Sequence, residues 1–378
     1  MRVLHFFKTY YPDSFGGVER TIHAISKGSL AHGIQPEVLS LSSDPSSNTL
    51  EFDYHMAYKA KLDFEFASTG FSRHVISKFF ELSAKADLIH YHFPWPFMDL
   101  VHLIARPQKP TIVTYHSDIV KQKTLSYLYR PLMHRFFSSI DRIVVTSPNY
   151  LASSEVLKKY RHNTEIIPIG LNASDYPRAS EELKEKWRLR FPRPFFLFVG
   201  VLRYYKGLHT LIEASKHVDA DILVVGEGPM EAELKTRVIK SGLTNLHFLG
   251  GVNDIDKAAL LDLCTAFVFP SHLRSEAYGL SLVEAAMFGK PMISCEIGTG
   301  TSFVNVHNVT GLVTNPNDSS DFATAMNVML HDKELVKRFG ANAYSRFRSE
   351  LSADLMVERY CHLYRELKRF RSAGKRGI

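Results

Sequence analysis

Apolar residues fall into short runs such as Arg142-Ile-Val-Val-Thr146 and Ile222-Leu-Val-Val225, separated by stretches in which apolar positions recur at helical spacing. Strand-length runs alternating with helix-period segments are the pattern of βαβ units on a parallel sheet. In the first half it predicts strands beginning at Arg2, Pro36, Asp87, Thr111, Arg142 and Thr164. In the second half it predicts strands near Phe195 to Gly200, Asp221 to Val225, Leu246 to Leu249, Ala266 to Phe269 and Pro291 to Ser294. The expected fold class is α/β, with two sheets in series. Asn172 to Pro194 carries Pro177, Pro192 and Pro194 around a charged segment and reads as an interdomain connection. This places one domain at 1–175 and a second at 176–353. From about Asp354 to Phe370, Leu355, Tyr360, Leu363, Tyr364 and Leu367 share one helical face. A closing segment, 354–378, is therefore expected to be helical, to pack back on the first domain and to end in a basic tail.

A chain of 378 residues exceeds one ordinary domain and fits two. With 45% hydrophobic and 22% charged residues it is globular in composition, and no apolar run approaches the roughly 20 residues of a membrane span. Met1-Arg-Val-Leu-His-Phe-Phe7 lacks the features of a signal peptide, so a cytoplasmic protein is expected. Cys264, Cys295 and Cys361 lack metal-ligand spacing, which argues against a zinc site or disulfide framework and for buried thiols. A net charge of +7 points to an anionic partner: a nucleotide, a phospholipid surface or nucleic acid. Charge alone does not choose among them, and part of it lies in Arg365, Lys368, Arg369, Arg371, Lys375 and Arg376 at the end.

Open α/β sheets bind ligands beyond the carboxyl ends of their strands. Gly16-Gly17 follows the first expected strand, His90 and His92 end the third, and His116 ends the fourth. Gly200-Val-Leu-Arg-Tyr-Tyr-Lys-Gly207 puts Arg203, Lys206 and two glycines at a strand-to-helix turn. Cations there neutralise phosphate oxygens and glycines let the backbone approach, as a diphosphate requires. As plain surface charges the same cations would oppose the helix dipole. Glu276-Ala-Tyr-Gly-Leu-Ser-Leu-Val-Glu284 follows another strand end, and Gly279, Leu280 and Ser281 are expected to open a helix whose N–H groups face an anion. Glu276 suits sugar hydroxyls and Glu284 the two hydroxyls of a ribose, although Ser281 and Glu284 also have the spacing of a capping box that would serve only the helix.

In Gly16-Gly17-Val-Glu19, the Lys206-Gly207 turn, Val225-Gly-Glu-Gly-Pro229 and the two glutamates separated by seven residues, the chain resembles the retaining glycosyltransferases of family 4 over nearly its whole length. The resemblance implies the GT-B fold, two Rossmann-like domains facing each other across a cleft. Val201 departs from it, because many members carry an arginine there, and Arg203 is expected to supply that charge. By resemblance, Gly17, Gly200, Arg203, Lys206, Val252, Glu276, Gly279, Leu280 and Glu284 hold the donor, with Gly17 beneath the diphosphate and the backbone near Gly251-Val252 at the base. His116, Arg203, Lys206 and Glu276 are the catalytic candidates, His116 close to the transferred sugar. The family mechanism needs no enzymic nucleophile, and neither metal nor other cofactor is expected. The carboxylate pairs Asp219-Ala-Asp221 and Asp254-Ile-Asp256 read as structural.

His90-Tyr-His-Phe-Pro-Trp-Pro-Phe97 and Tyr127-Leu-Tyr-Arg-Pro-Leu-Met-His-Arg-Phe-Phe137 offer aromatic faces and cations for an acceptor, with His90, His92, Trp95 and Tyr127 as candidates. An ordinary amphipathic helix with Leu128, Leu132 and Phe136 in the core is the competing expectation. The opening Lys8-Thr-Tyr-Tyr-Pro-Asp-Ser-Phe-Gly-Gly-Val-Glu19 looks like bacterial mannosyl- and rhamnosyltransferases of O-antigen assembly. That subgroup implies a GDP-sugar donor, a polyprenyl-diphosphate glycan acceptor and peripheral contact with the inner membrane. A sugar-nucleotide epimerase of the same fold would keep the phosphate site and need no acceptor. A dehydrogenase is disfavoured because Gly298-Thr-Gly300 is followed by Phe303 where a dinucleotide fingerprint needs glycine. A non-enzymatic nucleic-acid binder has only the charge in its favour, so nucleic acid is not an expected partner.

Overall fold

The computed structural model describes residues 1–44, 49–119 and 123–374, so Lys375 and Arg376 of the basic tail lie outside the described residues. The chain forms two compact units, Met1–Gly170 together with Ala353 onward, and Leu171–Ser352. The sequence pattern had set that boundary near residue 175.

In the first unit β1 (Arg2–Phe6), β2 (Gln35–Ser42), β3 (Thr49–Phe52) and β4 (His55–Lys61) are followed by a small antiparallel hairpin, β5 (Phe64–Phe66) and β6 (Thr69–Phe71). Then come β7 (Leu88–Phe93), β8 (Thr111–Tyr115), β9 (Arg142–Val145) and β10 (Thr164–Ile166). The sheet order is β10-β9-β8-β7-β1-β2-β4-β3, and only the β3–β4 pair is antiparallel. Strands β3 to β6 had no clear sequence signal. β3 and β5 bury little, and the β3–β4 turn places Asp53 and Tyr54 at positive φ, where glycine is the usual marker. The closing helix, Ala353–Gly374, belongs to this unit, with Met356, Val357, Tyr360, Leu363, Tyr364 and Leu367 buried.

The second unit contains β11 (Phe195–Val199), β12 (Asp221–Val225), β13 (Leu246–Gly250), β14 (Ala266–Phe269), β15 (Met292–Cys295) and β16 (Gly311–Thr314). All neighbours are parallel, in the order β13-β12-β11-β14-β15-β16. Strand residues Phe196, Phe198, Ile222, Val224, Val268 and Ile293 pack one core with Leu211, Ile212, Phe322 and Met326 from helices. The four-residue β16 strand at the sheet edge had no expected counterpart in the sequence. This is the doubly wound order, in which the chain leaves β11 in one direction and returns beside it as β14 in the other. The crevice beyond the carboxyl ends of β11 and β14 is thus the expected ligand position. In the first sheet the corresponding reversal lies between β1 and β7.

Candidate functional site

Both sequence segments singled out for phosphate chemistry leave the sheet at the β11/β14 reversal. After β11 the chain passes Gly200 and turns through Tyr204–Lys206 into the helix Leu208–Ser215. Gly207 ends the turn at φ +71°, and a Cβ there would run into the carbonyl oxygen of Pro270. Only glycine lets the β11 turn press this closely on the segment after β14. The contact delivers Lys206 to Glu276: Nζ donates to Oε2 at 2.6 Å, and both residues are more than nine-tenths buried. Ser271 Oγ donates to the same oxygen at 3.4 Å, and Nζ lies 4.7 Å from the centre of the Phe269 ring. The bond uses one of three ammonium protons, so a cation and an anion stand side by side with further capacity to donate and accept.

The helix Leu280–Met287 begins at the same place. Gly279 caps it at φ +86° with no side-chain hydrogen bond, a conformation open chiefly to glycine. Helix geometry leaves first-turn N–H groups, including that of Leu280, without intrahelical partners, at the positive end of the dipole. The Ser281–Glu284 capping box is not formed, because Gly279 occupies the cap position. Glu284 instead accepts from Tyr176 Oη at 2.8 Å and, at 3.4 Å, from Lys257 Nζ. Lys257 also pairs with Asp254 at 2.9 Å, and its Nζ lies 5.3 Å from the Tyr176 ring centre. Neither Tyr176 nor Lys257 carried a signal in the sequence. One sits in the connection and the other in the first turn of the helix Asp254–Leu263.

Three backbone bonds and one to a side-chain carboxylate tie the β11, β12 and β13 ends together. Leu202 N donates to Glu227 O at 2.9 Å, Met230 N to Leu202 O at 3.1 Å, Gly226 N to Gly250 O at 2.8 Å and Gly251 N to Glu227 Oε1 at 3.2 Å. The Val225-Gly-Glu-Gly-Pro229 segment thereby braces the Gly200 turn and sets Gly251 and half-buried Val252 beside it. Arg203 is exposed and lines a cavity of about 140 Å³ with Tyr204, His209, Glu233 and Arg237. Asp219 and Asp254 pair with Arg193 and Lys257, while Asp256 accepts from Trp187 Nε1 at 2.8 Å and Asp221 starts β12.

In the first unit Gly17 opens the helix Gly17–Ser29. Glu19, two residues on, is buried and accepts from Thr9 and Ser14 hydroxyls, both at 2.7 Å, pinning the loop after β1. His5, His90 and His92 are fully buried, and His116 is nearly so. His90 Nδ1 meets Tyr364 Oη and its Nε2 meets Thr114 Oγ1, both at 2.7 Å. One ring nitrogen from each of His5, His90 and His92 lies within 4.8 Å of the others, but those of His90 are both engaged, as befits a hydrogen-bonded core. Burial drives His116 and His5 down to about 3 and holds His90 and His92 well below the usual histidine range.

Three of the four acceptor candidates are core residues. β7 is buried along its whole length, so His90 and His92 present no face to a glycan, and fully buried Trp95 donates Nε1 to Gly70 O at 3.0 Å. Tyr127 is 71% exposed on the helix Lys123–Ser139, beside Leu128 at 76%, with the Arg130 guanidinium 6.0 Å from the Tyr127 ring centre. That helix buries Met133, Phe136 and Phe137, so Leu128 is not the core residue an amphipathic reading makes it. The three cysteines are buried and unpaired.

Residues 179–346 match the family described as "Glycosyl transferases group 1", and residues 15–175 match "Glycosyltransferase Family 4". The chain is 51% identical to the D-rhamnosyltransferase WbpZ of Pseudomonas aeruginosa, over 93% of each chain. It is 48% identical to the O-antigen chain mannosyltransferase C of Escherichia coli, over 97% of this chain and 99% of that one. Among solved structures, Anabaena HepE in complex with UDP superposes with a TM-score of 0.79 over 97% of this chain and all of the other, at 19% identity. At that identity the likeness speaks for the fold.

Proposed function

The chain belongs to the family 4 glycosyltransferases, with the GT-B pair of Rossmann-like domains, and from that premise we propose that it moves a mannose- or rhamnose-like hexose from a GDP-sugar to a polyprenyl-diphosphate-linked glycan in O-antigen assembly. The sugar and its setting follow from the rhamnosyl- and mannosyltransferase relatives at 51% and 48% identity. The observation that carries the donor site is the buried Lys206–Glu276 pair at 2.6 Å, set beside the N-terminus of Leu280–Met287 at the β11/β14 reversal. Lys206, the Gly279 and Leu280 backbone and exposed Arg203 meet the diphosphate, Glu276 accepts from a hydroxyl of the donor sugar, and Glu284, fixed by Tyr176 and Lys257, accepts from the ribose. Gly200 gives the diphosphate backbone approach, and the Gly251-Val252 backbone meets the base.

Transfer proceeds with retention. The acceptor oxygen bonds to the anomeric carbon on the face from which the diphosphate leaves. The bond from that carbon to the phosphate oxygen breaks, and the acceptor proton passes to the departing oxygen. The protein's part is to stabilise charge on that oxygen with Lys206 and the helix N–H groups, which requires no metal. No described helix is long and apolar enough to cross a membrane, and exposed Tyr127, Leu128 and Arg130 would face the cytoplasmic surface of the inner membrane that carries the lipid acceptor. Incubating the purified protein in chelator with GDP-α-mannose and a synthetic polyprenyl-diphosphate glycan should give an α-linked product by NMR. A β-linked product, or use of UDP-sugars in place of GDP-sugars, would overturn the proposal.

A further inference from the structure

Beside the β1/β7 reversal of the first sheet three imidazoles form a chain. His5 Nδ1 lies 3.1 Å from His92 Nε2, and His92 Nδ1 lies 3.0 Å from His116 Nε2, with successive ring planes inclined by 19° and 21°. His5 belongs to β1, His92 to β7, and His116 follows β8 directly, so each ring is fixed by a buried strand or its end. His90 lies alongside without joining, because Tyr364 and Thr114 take its two nitrogens.

A neutral imidazole has one N–H and one bare nitrogen, so the chain has only two self-consistent directions. In the first, His116 Nε2–H donates to His92, His92 Nε2–H donates to His5, and the His5 proton must then sit on Nε2. Run the other way, His5 donates from Nδ1, His92 donates from Nδ1, and His116 keeps its proton on Nδ1. The far end decides between them. His5 Nε2 is buried with no hydrogen-bond partner among the described residues. A sealed N–H without an acceptor is a rare and expensive defect, whereas an under-used acceptor is tolerated more often. Burial also keeps all three rings neutral, since a charged one would carry two N–H groups and break the alternation.

We propose that the chain is a tautomer lock, running from His5 through His92 to His116 and leaving His116 with Nδ1–H as a hydrogen-bond donor toward the transferred sugar rather than as a base. Its effect on turnover rests on the family 4 reading, in which the resemblance implies that His116 lies close to the transferred sugar. His92 and His5 are then positioning residues, acting on substrate only through His116.

Long-range proton–nitrogen spectra of ¹⁵N-histidine-labelled protein test it, with His116 assigned by the signal lost in His116→Asn. Wild-type His116 is expected to carry its proton on Nδ1. In His92→Asp, whose carboxylate accepts and does not donate, the ring should go over to Nε2–H, and kcat should fall on the order of tenfold, the low end of what losing an orienting partner costs a metal-bound histidine, with donor KM nearly unchanged. His92→Asn, whose amide N–H can still donate toward His116, should keep both the wild-type tautomer and most of the turnover. Wild-type His116 protonated on Nε2, or an unaltered tautomer in His92→Asp, would overturn the lock. Normal turnover in His116→Asn alongside the expected wild-type spectrum would instead overturn the sugar-side placement of His116 and leave the lock standing.

Discussion

Lys206 and Glu276 are 70 positions apart and hold each other at 2.6 Å. Removing one member of such a pair leaves the other buried without a counter-charge, typically a loss of about 3 to 5 kcal/mol. Lys206→Ala should therefore lower stability, and if Lys206 also meets the diphosphate it should lower turnover roughly a hundredfold to a thousandfold. The double variant Lys206→Met/Glu276→Leu separates the two effects. It should recover much of the thermal midpoint and none of the turnover, and near-normal turnover in either variant would contradict the role given to Lys206. The two residues could be read in the sequence because glycine-flanked turns at strand ends mark where backbone and charge meet a ligand. Tyr176 and Lys257 could not, since they reach Glu284 across 108 and 27 positions of chain. His90, His92 and Trp95 were misread for a related reason. An aromatic run looks the same in sequence whether its rings face a glycan or a strand buried on both sides.

Elements with continuous apolar runs, β1, β7, β8, β9, β11, β12 and β14, were legible because a strand buried on both faces needs them. The edge strand β3 buries too little to leave that mark, β16 is only four residues long, and the helix Lys123–Ser139 offered two adjacent apolar faces, of which packing selects the one with Met133, Phe136 and Phe137. The turn after β11 gives the clearest test at this scale. Gly207→Ala forces a side chain into positive φ and against Pro270 O at once, at a combined cost of about 2 to 4 kcal/mol. The midpoint of thermal unfolding should drop by roughly 5 to 10 °C, and donor binding should weaken because the turn can no longer hold Lys206 against Glu276. An unchanged midpoint would mean that the two segments are not pressed together as described.

Across the whole chain, four motifs in order and spacing pointed to the family, and relatives at 51% and 48% identity agree over nearly the full length. The buried histidines of the first unit give the molecule a characteristic response to acid. Burial lowers their folded-state pKa, to about 3 for His5 and His116, from an ordinary value of 6.5, so between those limits the unfolded chain binds protons the folded one refuses. Their contribution to stability is full above pH 6.5 and is lost as pH falls toward 3, each group by about 1.4 kcal/mol per pH unit. Urea unfolding at pH 7 and pH 5 should show the loss, and His5→Leu should make it shallower; equal slopes in the two proteins would contradict it. The central claim is a donor site that takes a guanosine diphospho-sugar on Lys206, Glu276 and a helix N-terminus without metal. Calorimetric titration of the purified protein with GDP, UDP and ADP in chelator tests it most directly. GDP should bind, at least about tenfold tighter than the others, a difference of about 1.4 kcal/mol. Equal or tighter binding of UDP, or no binding of GDP until metal is added, would contradict the account.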